Sequence, residues 1–199
     1  MLQDQINTRI KPDWRAAQHP WYRAIWTECA ELLDHHGWKW WKKQTPNMPQ
    51  IWLELVDIWH FALSDLLQRH DSEAACITSI VDALTQPRTA RSVDQTVELL
   101  AQGCLTSHSI DLVTFFDLTD SVQLEFQQLF EQYVGKNVLN RFRQDHGYQE
   151  GSYQKVWHGQ EDNEHLAELF LKLDFTQEDI AQALYDALLS RYTAKSELE

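Results

Sequence analysis

Apolar residues recur along this chain at intervals of three and four, and no run alternates with a period of two. That pattern predicts helices nearly throughout. A short leading helix over residues 1–9 ends before Lys11-Pro12. Pro20 reads as the first helical position of a segment reaching about His36, because a proline there gives up a donor that has no intrahelical partner. Gly37 is the expected stop. Thr45–Pro49 reads as a loop, and a long helix follows from about Gln50 to His70. Further helices are expected over Ser72–Leu84 and Ser92–Gln102, and one or two over residues 109–146, capped by Gly147. Two more cover Asn163–Leu173 and Gln177–Arg191, the latter opened by the box Thr176-x-x-Asp179. Glycine and proline, at 6 and 5, are scarce, which suits a helical chain with few tight turns. The expected fold is an all-α helical bundle forming one domain over residues 1–199.

The most informative helix is IWLELVDIWHFALSDLL, residues 51–67. Its apolar residues cover most of the helical circumference, the mark of a buried helix. Glu54 and Asp57 nevertheless sit within it, spaced i, i+3 and so neighbours on one face. Buried carboxylates are costly unless protonated, ion-paired or metal-bound. A second i, i+3 pair, Glu28 and Glu31, lies on WYRAIWTECAELLDHH. Taken alone that segment is an ordinary amphipathic helix with Glu28 at the edge of its apolar arc. Taken together, the two helices offer four oxygen ligands for a hard cation such as Mg²⁺ or Mn²⁺. Such a site would lie between the helices that carry the pairs.

A third cluster lies in VGKNVLNRFRQDHGYQEGSYQKVWHG. On a helix Lys136, Asn140 and Arg143 fall within roughly 60° of one another. The stripe ends at Gly147-Tyr148 and reads either as a phosphate clamp or as a solvated face. Its interest grows with the charge balance. Lys+Arg is 17 against Asp+Glu 30, a formal net charge of −13. So acidic a chain repels nucleic acid and anionic membrane, and an anionic substrate needs cations or a local basic patch. Lys39, Lys42 and Lys43 form the other dense basic cluster. Cys29, Cys76 and Cys104 are odd in number and include no CxxC, which points away from a disulfide framework and toward a reducing cytosol. The first residues carry no apolar signal-peptide core, and no stretch is long and apolar enough to span a membrane, so a cytoplasmic location is expected. Of nine tryptophans, seven lie between Trp21 and Trp59.

The strings ECAELLDHHGWKWWKK, ELVDIWHFALS and KNVLNRFRQDHGYQEGSYQKVW-G-EDN, in that order, resemble the dimeric dUTPases of the all-α nucleoside triphosphate pyrophosphatase superfamily. The resemblance implies a homodimer that hydrolyses dUTP, and also dUDP, to dUMP. It implies Mg²⁺ held by Glu28, Glu31, Glu54 and Asp57, and phosphate contacts from Lys136, Asn140, Arg143 and Tyr148. The N-terminal LQDQIN resembles the family's base-reading Leu-Gln-x-x-Leu-Asn, which assigns uracil to Gln3 and Asn7. Trp38 and Trp41 then either line the sugar or base pocket or are plain core. In the implied reaction a metal-activated water attacks the α-phosphorus and Glu31 takes its proton. Three alternatives stand beside this reading. One is a sibling enzyme for another base such as dCTP, since one amide flip exchanges the two readouts. Another is a di-iron carboxylate bundle, for which Asp57-x-x-His60 is the single matching motif. The last is a nucleotide sensor without turnover.

Overall fold

A computed structural model describes residues 1–170, 172, 173, 175, 177 and 179–194. Its elements, in chain order, are α1 (Leu2–Ile10), α2 (Trp21–His36), α3 (Met48–Arg69), α4 (Glu73–Thr85), α5 (Val93–Ser107), α6 (Leu112–Ser121), α7 (Phe126–Asp145), β1 (Val156–Trp157), β2 (Gln160–Glu161), α8 (Asp162–Phe170) and α9 (Ile180–Ala194). The fold is all-α. Thr176, the expected opening residue of the last helix, lies outside the described residues.

Several boundaries differ from expectation, each for a local reason. Pro20 is the N-cap of α2 rather than its first helical residue. α3 begins at Met48, with Pro49 in its first turn, so the expected loop is shorter. α5 continues past Gln102, through Gly103, and stops where His108 adopts the left-handed conformation. Ser72 and Ser92 cap α4 and α5 by accepting from Ala75 N and Gln95 N. Gly37 ends α2 at φ 94°, where a Cβ would also meet the Gln44 side chain at 2.8 Å. The strand pair was not legible as a period, because each strand has only two residues. It is a hairpin turned by His158 and Gly159, both at positive φ as a type I′ turn requires.

The backbone falls into two compact units, Gln3–Phe130 and Glu131–Glu199, whose boundary lies inside α7. In the first, α3 is the central helix, as its all-round apolar pattern predicts. Ile51, Leu55, Ile58, Ala62 and Leu67 are buried against the inner faces of its neighbours. α2 packs on α3 and α5, and α4 packs on α3 and α6. α2 and α3 run antiparallel: Trp21 Nε1 donates to Gln68 Oε1 at one end, and His35 meets Glu54 at the other. Trp59 stacks on Phe115 at 5.3 Å and anchors α6 to α3. Cys29, Cys76 and Cys104 are free and buried.

The second unit is built on aromatic rings. Phe142 and Trp157 are fully buried and meet each other and Tyr192. Trp157 also stacks on His165 at 4.9 Å. Gly135 lets α8 approach α7, since a Cβ there would come within 2.2 Å of the Phe170 ring. No helix among the described residues is long and apolar enough to cross a membrane.

Candidate active site

The antiparallel pairing of α2 and α3 brings acids from both helices to one place. Glu28, Glu54 and Asp57 each offer a carboxylate oxygen within 4.8 Å of the others. Glu54 is buried, and Glu28 and Asp57 are half-buried. Burial, followed by the charges of Asp57, Glu31 and Glu54, pushes the Glu28 carboxyl up to about 7. Glu54 is also raised, by burial and then by Asp57, while a hydrogen bond from Glu28 and the nearby His35 favour its ionised form. Both shifts favour holding a proton in this group, and both come from burial and the neighbouring acids. Glu31 is exposed and lies outside the close group, though near enough to act on Glu28 and Glu54. The donor set fits a hard cation: three oxygens converge, and a bound ion would offset their mutual repulsion.

Other buried carboxylates of the chain are treated differently. Asp65, also on α3, takes Arg69 Nε at 2.7 Å, Ser109 Oγ at 2.8 Å and the Ile110 N–H at 3.3 Å. Asp117 takes Arg91 at 3.2 Å and the Thr89 N–H at 3.1 Å. The ion-pair alternative that the sequence left open for Glu54 is realised at these two sites. At Glu54 the group opposite is instead the imidazole of His35, 3.3 Å away.

Gln3 and Asn7 are buried on one face of α1. Gln3 Nε2 donates to Asn7 Oδ1 and to Ser64 Oγ, both at 3.0 Å, and Asn7 Nδ2 donates to the same hydroxyl at 2.9 Å. Gln3 Oε1 faces His60 Nδ1 at 2.9 Å. α1 is therefore docked on α3 through amides, not frayed. His60 turns toward this cluster and is not a member of the close carboxylate group, which removes the support for a di-iron motif. Neither His60 nor Ser64 was singled out by sequence as a partner of the amides. Their i, i+4 spacing on α3, matching that of Gln3 and Asn7 on α1, was the available signal.

Trp38 and Trp41 are 48% and 58% exposed, so neither is core. They pack edge to face at 5.3 Å in the segment that follows α2. Trp40 adds a third ring against Trp41 at 5.6 Å.

Lys136, Asn140 and Arg143 lie on α7 within the second unit, partly exposed, and Tyr148 is exposed just beyond it. Arg143 makes a bidentate pair with the fully buried Asp162, Nε to Oδ2 at 2.8 Å and Nη2 to Oδ1 at 2.9 Å. Its Nη1 donates to Asn140 Oδ1 at 3.3 Å. Tyr153 donates to Asp162 Oδ2 at 3.0 Å. Asp162 is the residue missed here, although it stands in the EDN end of the third string.

A protein-family model described as dUTPase matches residues 1–148 of the 199, a span that holds every site residue expected from sequence. No curated protein matches the chain.

Proposed function

The chain belongs to the dimeric all-α dUTPase family and is a dUTP diphosphatase; from that premise we propose that Mg²⁺, or Mn²⁺ in its place, is held by Glu28, Glu54 and Asp57, with Glu31 alongside. The observation that carries this reading is the convergence of three carboxylates from α2 and α3 within 4.8 Å. A cation bound there would neutralise the polyphosphate and supply an acidified water for attack on the α-phosphorus. Glu31, exposed to solvent one turn from Glu28, is assigned to take the proton of the attacking water. Lys136, Asn140, Arg143 and Tyr148 are assigned to the phosphates, where fixed cations and donors stabilise charge on the leaving group. Gln3 and Asn7 are assigned to the uracil edge, which needs the donor and the acceptor that amides carry. Trp38 and Trp41 are assigned to the lining of the sugar or base pocket. We extend the substrate range to dUDP and the assembly to a homodimer.

The test is turnover of dUTP and dUDP, read as dUMP release, before and after EDTA. Loss in EDTA with recovery on adding Mg²⁺ is expected. Full turnover in EDTA would overturn the assignment of the carboxylates.

A further inference from the structure

We infer that His35 is a positioning residue for the cation, presenting its imidazole to Glu54 so that the carboxylate is held in one orientation. The inference rests on reading the α2–α3 carboxylates as a cation site and adds a residue to it. Glu28, Glu31 and His35 stand at i, i+3 and i+7 on α2, one stripe of the helix. Because α2 and α3 are antiparallel, the last of these meets the first acid of α3. His35 Nε2 lies 3.3 Å from Glu54 Oε1. The imidazole is not itself in the group of converging oxygens.

The neighbourhood fixes His35 rather than leaving it to chance. α2 ends one residue after His36, at Gly37. The returning chain is tied to the same residue, since the Asn47 N–H donates to the His35 carbonyl at 3.0 Å. The adjacent His36 points elsewhere, placing Nδ1 3.3 Å from Asp94 Oδ1 of α5. Two consecutive histidines thus serve different helices. Glu54, buried between α2 and α3, also feels Glu28, Glu31 and Asp57, all acids. Partners of this kind, one layer behind a ligand, orient it and raise metal affinity.

The test is Mn²⁺ titration of the nucleotide-free protein, with free Mn²⁺ read by its electron paramagnetic resonance signal. His35→Ala should weaken Mn²⁺ binding by about 10–100-fold, while His35→Gln, which keeps an N–H donor, should stay within about threefold of wild type. His36→Ala should bind as wild type does. Wild-type affinity in His35→Ala would overturn the inference. Equal loss in the Ala and Gln variants would also overturn it, by making the imidazole a ligand. Glu54→Gln separates the two layers: if it abolishes binding while His35→Ala keeps wild-type affinity, only the His35 role falls. If the wild-type protein binds no Mn²⁺, the carboxylate site falls and His35 with it.

Discussion

α3 buries acids toward both its ends and treats them in opposite ways. Asp65 sits beneath an arginine and two further donors. Glu54 sits against the Glu28 carboxyl, with Asp57 adding repulsion, and both carboxyls are pushed up. A carboxylate that only supports the fold is neutralised by the fold itself. One crowded by other acids is left repelling them, and on the proposed reading a cation relieves that repulsion.

The sharpest way to break this comparison is to neutralise both ends. Glu54→Gln or Asp57→Asn should lower dUTP turnover by about a thousandfold or more, yet leave the EDTA-treated protein as stable as wild type or more so, because like charges are removed. Asp65→Asn should do the reverse, costing about 2–4 kcal/mol in denaturant unfolding while the folded fraction turns over normally. Similar turnover losses at the two ends would erase the distinction.

Arg143 extends the comparison into the second unit, because its partner Asp162 is fully buried. Arg143→Ala leaves that carboxylate uncompensated and should cost about 3–5 kcal/mol. Arg143→Lys keeps the charge but loses the bidentate geometry. If Arg143 also serves phosphate, the lysine variant should lose dUTP turnover by more than its loss of stability accounts for. Unchanged turnover in folded Arg143→Lys would assign the arginine to Asp162 alone.

A smaller effect concerns Asn7. Removing an amide that reads a polar edge leaves its partner unpaired, so Asn7→Ala should lower the preference for dUTP over dCTP by about 10–100-fold. Ser64→Ala removes the hydroxyl that both amides share and should move the ratio in the same direction. An unchanged ratio in both would make the cluster a docking device for α1.

The smallest effect is on pH. The Glu28 carboxyl is raised from 4.5 to about 7, so the metal-free fold binds that proton more tightly than the unfolded chain does. Its contribution to stability is complete below pH 4.5 and is lost as pH rises through about 7. Melting in EDTA at about pH 5 and pH 8 should show a decline that Glu28→Gln reduces and Mg²⁺ offsets. A decline of equal size in Glu28→Gln would place its source elsewhere.

What the sequence made legible follows from range. The α3 core, the serine caps and the Gly37 stop are local patterns, read within a turn or two. The acid pairs were visible because spacing on a helix is itself geometry. The partners of Gln3 and Asn7 were not, since they lie 57 and 61 positions away along the chain. Asp162 was hidden in the same way, 19 positions from the arginine that defines it. The boundary between the units was invisible because α7 runs unbroken through it, its glycine Gly135 staying helical.

The indoles after α2 give the molecule a built-in optical reporter. Trp14, Trp59 and Trp157 are sealed in the interior, whereas Trp38, Trp40 and Trp41 are exposed side by side, more so than Trp26 of α2. Water around an excited indole shifts its emission to the red, so the red edge of the fluorescence band belongs largely to this one segment. Iodide, which collides only with what it can reach, should quench that edge first. A nucleotide settling over the segment would then register as protection of the red edge, without any label or substitution.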